Sequence, residues 1–92
     1  MVIGVCELEF HLPSCQNLKH KRMFVNRLKD RLRSRFNVAA AEVDHQDLWQ
    51  RAAIAAVSVS GDRRVLERLF EKVVEESERH EASLVRYTVD YL

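Results

Sequence analysis

The chain has 92 residues, 47% of them apolar and 32% charged, with one proline and two glycines, a balance that excludes disordered and low-complexity chains. A second core would be too small to stand alone, so a single domain is expected, with a thin stability margin because only about 60–65% of the unfolded surface leaves water on folding. The formal net charge of +1 excludes a uniformly basic or acidic protein, and Cys6 and Cys15 are too few for a disulfide framework or a zinc site, which fits a reducing cytoplasm.

The apolar opening Met1 to Cys6 lacks a basic leader and a cleavage site and is cut short by Glu7 and Glu9, so it is not read as a signal peptide. No stretch reaches the roughly 20 apolar residues that span a bilayer, and no membrane partner is expected. Cys6, Leu8, Phe10 and Leu12 alternate with Glu7, Glu9 and His11, the pattern of a strand with one wet face. Pro13 ends it, and Asn17 is a suitable N-cap for a helix beginning near Leu18. Leu18, Val25, Leu28, Leu32 and Phe36, widened by Phe24, give that helix one apolar face, with Asn37 just past its end.

Ala39, Ala41 and Val43 alternate with Glu42 and Asp44 in a second strand, and a third runs from Ala52 to Ser60. After Gly61-Asp62, the spacing of Leu66, Leu69, Phe70, Val73, Val74 and Ser77 predicts a second helix ending near Arg79. A fourth strand, Leu84 to Tyr91, sets Val85, Val89, Tyr87 and Tyr91 against Arg86, Thr88 and Asp90, its aromatic side expected against the helices.

Strand, helix, strand, strand, helix, strand is the order of an α+β, ferredoxin-like βαββαβ sandwich, a four-stranded antiparallel sheet with two helices on one face. The uncovered face is expected to present Ile3 and Val5 from the first strand and Ala52, Ile54 and Ala56 from the third. An apolar patch of that kind points to a partner or a homodimer; the alternative is loops folding over it.

Charge is concentrated in the first helix, where Lys19, Lys21, Arg22, Arg27, Lys29, Arg31, Arg33 and Arg35 face Asp30 alone. Lys19, Lys21 and Arg22 crowd the helix start, where unpaired amides and the dipole already present positive charge. A phosphate would relieve that. The candidate anion- or RNA-binding set is therefore Asn17, Lys19, Lys21, Arg22, Arg27, Arg31 and Arg33. Against it stands a solvated face paired with nearby glutamates. The central strands offer no aromatic to stack a base on the open face, and Glu7 and Glu9 there repel phosphate, so any RNA contact would run along the backbone through the first helix.

Catalytic patterns are thin: the histidines at 11, 20, 45 and 80 are scattered, with no glycine-rich phosphate loop. Glu42, Asp44, His45 and Asp47 could hold a metal or act as acid and base; the competing reading is a turn capped by its own aspartates. Trp49 is read as a lid over the core, with an exposed anchor for a partner as the alternative, Cys6 as a buried small apolar group and Cys15 as a loop thiol.

The runs Leu18-Lys19-His20-Lys21-Arg22, Arg35-Phe36-Asn37-Val38, Glu42-Val43-Asp44 and Asp47-Leu48-Trp49-Gln50-Arg51-Ala52 resemble the YlxP-like family of small bacterial proteins over nearly the whole chain. The resemblance implies the same fold, and it implies a link to translation, since genes of that family often neighbour those for translation initiation and ribosome maturation factors. The expectation is a cytoplasmic, non-enzymatic binding module without cofactor or small-molecule substrate. Its partner would be RNA or the ribosome, with homodimerisation through the open sheet as the alternative.

Overall fold

Alternating burial sets the first strand, β1 (Val2–His11), in a computed structural model that describes residues 1–79 and 82–92. Cys6, Leu8 and Phe10 turn inward and are almost fully buried. Asn17 then opens α1 (Leu18–Arg35), and its Oδ1 accepts the His20 amide at 2.8 Å, satisfying one of the orphan donors of the first turn. β2 (Ala39–Asp44), β3 (Arg51–Ser60), α2 (Arg63–Glu78) and β4 (Ser83–Tyr91) follow. Asp62 caps α2 by accepting the Arg64 amide at 2.9 Å, and hydrogen bonds from Arg64 hold its carboxyl below the ordinary range.

The strands lie in the order β2-β3-β1-β4, each antiparallel to its neighbours, and both helices pack on one side. This is the expected ferredoxin-like α+β architecture. The core joins Leu8, Phe10 and Ile54 of the sheet to Phe24, Leu28 and Leu32 of α1 and to Leu66, Phe70 and Val73 of α2. Phe10 and Phe24 meet edge to face at 5.6 Å. Among the described residues no helix is long and apolar enough to cross a membrane.

The register corrects one expectation about the open face. Cys6 stands opposite Ala56, Leu8 opposite Ile54 and Phe10 opposite Ala52, and directly opposed residues share a face. Ala52, Ile54 and Ala56 therefore lie under the helices, each 0% exposed. Ile3 and Val5 do lie on the uncovered side, but they meet Val59 and Val57 there, with Ala53 and Ala55 further along. A shift of one residue exchanges the two faces of a strand, and the run Ala52 to Ala56 contains no polar residue to mark which is which. Ser58 turns inward, its hydroxyl donating to the Asn37 carbonyl at 2.6 Å.

On β4 the pairing of Leu8 with Tyr87, Cys6 with Val89 and Gly4 with Tyr91 puts those three on the helix side as expected, while a register shift leaves Val85 unpaired and largely exposed. Trp49 is 45% exposed and outside the core, not a lid over it. Cys15, expected as a loop thiol, is buried in the core, and burial pushes the Cys6 thiol up to about 11. His80 lies outside the described residues.

Gly4 lets α2 approach β1. A Cβ there would stand 2.5 Å from Phe70 Cε2 and 3.1 Å from Leu66 Cδ1, and the Phe70 ring is itself buried, so it has little room to move. Gly4→Ala is expected to lower stability by about 1–3 kcal/mol, read as a shifted denaturation midpoint at unchanged slope. Parental stability would mean that the ring yields.

Candidate nucleic-acid interface

The inner face of α1 is Lys21, Phe24, Val25, Leu28 and Leu32. Lys21 belongs to it because 21, 25, 28 and 32 fall on one helical stripe, and it is only 1% exposed. Its ammonium lies 2.7 Å from Glu42 Oε2 and donates to the His45 carbonyl. Lys21 is thus removed from the candidate anion site: its charge is spent inside the molecule.

The other cations of α1 divide into two groups. Towards its end, Arg35 pairs with the buried Glu76 of α2, Arg31 lies 3.8 Å from the same carboxylate, and Arg33 is 3.6 Å from Asp30 and donates to the Ala40 carbonyl of β2. These contacts partly satisfy Arg31 and Arg33. Towards its start, Lys19, Arg22 and Arg27 are exposed, and among the described residues none of them, nor Lys29, has a carboxylate within ion-pair distance. Arg27 also lines a small hollow with Ser14, His20 and Phe24. Asn17 sits at the head of this group, its side-chain oxygen committed to the helix cap. The first turn contains no acidic residue, so the positive end of the dipole meets Lys19 and Arg22 at the helix start, with Arg27 more than a turn further along.

Glu42, Asp44, His45 and Asp47 do not converge as a group, although Asp44 Oδ1 accepts the His45 amide at 2.7 Å. Glu42 stands opposite Ile54, on the helix side, whereas Asp44 stands opposite Ala53, on the open side, because the pairing slips at Val43. Without that bulge the two carboxylates would share a face. Among the described residues no group of three metal-ligating side chains forms. His45 instead has a left-handed backbone, φ 61°, with Nε2 3.4 Å from Glu9 Oε1, while Arg86 holds the other Glu9 oxygen at 2.9 Å. The open face therefore has a charged end around Glu9 and an apolar end around Ile3 and Val5.

Comparison with known proteins decides the family. Residues 3–89 match the model of the family described as protein of unknown function (DUF503). The chain belongs to the DUF503 family. A curated relative, the uncharacterized protein YlxP of Bacillus subtilis (strain 168), is 33% identical over 73 residues, 79% of each chain.

Two buried charges of this DUF503 protein escape a reading based on apolar periodicity alone. Lys21 had a usable signal in its place on the stripe; Glu76 had one in lying three residues after Val73 and next to Ser77, both fully buried. Removing one partner of a buried pair strands the other charge, at a cost of about 3–5 kcal/mol, whereas replacing both with apolar groups can be nearly neutral. Glu42→Leu alone is therefore expected to destabilise strongly, and Lys21→Met together with Glu42→Leu to recover most of the loss in equilibrium unfolding. Additive losses would show that the two side chains do not act as a pair.

Proposed function

We propose that this DUF503 protein is a cytoplasmic, non-enzymatic binding module that grips the phosphate backbone of structured RNA, such as that of the ribosome, with the first half of α1. The single observation that supports this reading is the selective neutralisation of α1. Lys21 and Arg35 each meet a carboxylate of the same molecule, and Arg31 and Arg33 approach one, while among the described residues Lys19, Arg22 and Arg27 remain exposed with no carboxylate partner, Arg27 donating only to the Met23 carbonyl of its own helix. Cations at the positive end of a helix raise the free energy of the isolated molecule, and a bound phosphate reverses the sign of that contribution.

The reading favours backbone contact over base recognition. The open side of β1 presents Glu7 and Glu9 and that of β3 small aliphatic side chains, so neither central strand offers a stacking platform. Binding to an RNA hairpin should fall steeply with salt, the logarithmic slope losing about 0.7–0.9 for each phosphate contact removed. The triple variant Lys19→Ala, Arg22→Ala, Arg27→Ala should flatten that slope by roughly 2–3, with an Arg64→Ala control unchanged. Absence of binding at low salt, or an unchanged slope in the triple variant, removes the proposal.

A second reading, self-association through the open sheet, is favoured by the apolar end of that face. Ile3 and Val5 adjoin Val57 and Val59, the last 54% exposed, and Leu92, 80% exposed, is tied to Ile3 through both backbone groups. Sedimentation should then show a concentration-dependent dimer that Val57→Glu abolishes without unfolding the chain. A monomer at all concentrations eliminates this reading.

A further inference from the structure

The flank opposite α1 carries the reverse charge. Between α2 and the outer edge of β4 runs a groove of about 430 Å³, with Phe70, Tyr87, Val89 and Tyr91 in its floor and Glu67, Glu71 and Glu75 along its rim. One cation already occupies its end. Arg63 lies over the Tyr91 ring, 4.2 Å from the centroid, and pairs with Glu67 at 3.3 Å. Glu71 and Glu75 are exposed, and among the described residues neither has a cation within ion-pair distance. The Arg63 arrangement, a guanidinium held between a tyrosine face and a glutamate, is thus filled once and left open further along, where Tyr87 is 52% exposed.

The strand beneath the groove is also free. β4 closes one side of the sheet, and among the described residues its ladder is with β1 alone. It contains no proline or lysine, and the features that blunt it, the register shift at Val85 and the charges of Arg86 and Asp90 on the open side, lie outside the groove lining. The opposite edge differs, since Arg33 reaches across to the Ala40 carbonyl of β2. The two periodicities of the groove match as well. Glutamates four residues apart on a helix recur about every 6 Å, and side chains on one face of an extended chain recur about every 6.6–6.8 Å.

We propose that this groove docks an extended basic segment of a partner protein, with Lys or Arg at alternate positions, which adds to β4 as a fifth strand. The cations meet Glu71 and Glu75, beyond the position that Arg63 fills, and their aliphatic stems lie on Tyr87. RNA is disfavoured by the row of carboxylates. A second copy of this chain is disfavoured because its clustered cations ride on α1, which is helical. The inference does not depend on α1 as a phosphate site.

The test uses the full chain and a fluorescent peptide of about seven residues, alternating Lys or Arg with Val, long enough to span the groove. Polarisation should show salt-sensitive binding, and the Glu71→Gln, Glu75→Gln double variant should weaken it by about tenfold, two charge-assisted contacts being lost. A peptide of the same composition with its cations in one block should bind as weakly as that variant does, and hydrogen exchange should slow in β4 when the alternating peptide is present. Lys19→Ala with Arg22→Ala should leave peptide affinity unchanged, which separates this outcome from that of the RNA experiment. Any of three results overturns the proposal: no binding at low salt, equal affinity for the two peptides, or parental affinity in the double variant with its fold intact by circular dichroism.

Discussion

An ammonium group taken out of water has to be met by an anion and by acceptors for its remaining protons, and in this molecule that requirement is concentrated on Lys21. Its effective desolvation penalty is several kcal/mol, and it is met from two places distant in sequence, the Glu42 carboxylate on β2 and the His45 carbonyl in the turn that follows. One side chain thus ties the start of α1 to the edge of the sheet and to the β2–β3 connection. The orientation of the helix follows. With about 100° between successive residues, an inward Lys21 obliges Lys19 and Arg22 to point outward, so the pairing that removes one cation from the surface displays its neighbours. The same anchoring helps to hold His45 in its left-handed conformation, which in a residue with a Cβ costs of order 1–3 kcal/mol.

Much of the architecture was legible in the order of the elements. Period-two alternation in β1 and β4, the apolar stripes of both helices, the cap Asn17 and the break at Gly61-Asp62 all point to one topology, a consistency expected of a sequence that specifies a single fold. What could not be read was which face of β3 turns inward. Alanine fits either side of a sheet, so Ala52 to Ala56 carry no polarity signal, and the valines at 57 and 59 suggest the wrong parity because Ser58, which faces the helices, is satisfied by the Asn37 carbonyl. The bulge at Val43 was equally silent in the sequence, and it alone parts Glu42 from Asp44. Of the candidate anion site, Lys19, Arg22 and Arg27 were readable as exposed cations, whereas Lys21 was misassigned because its charge outweighed its position on the stripe.

Near-neutrality conceals a molecule with two unlike flanks. α1 packs towards β2 with Arg22, Lys29 and Arg33 around it, and α2 packs towards β4 with Glu67, Glu71 and Glu75 outward. Glu76 bridges the two helices by drawing in Arg31 and Arg35, so opposite charges cancel at the seam and survive at the margins. Such a distribution orients approaching partners by sign, and its reach is about 8–10 Å at physiological ionic strength.

The sheet order has a consequence for synthesis of the chain. β1 is central, yet its neighbours are β3 and β4, the strands that leave the ribosome third and fourth. Loop-closure entropy is highest for contacts this far apart in sequence, and pairing of that kind delays folding. During translation, then, the apolar inner side of β1 has α1 available first and lacks a complete flanking strand until Ser60, at the end of β3, has been made. Its second flank stays open until β4 is out, a window in which the nascent domain is exposed to wrong pairing.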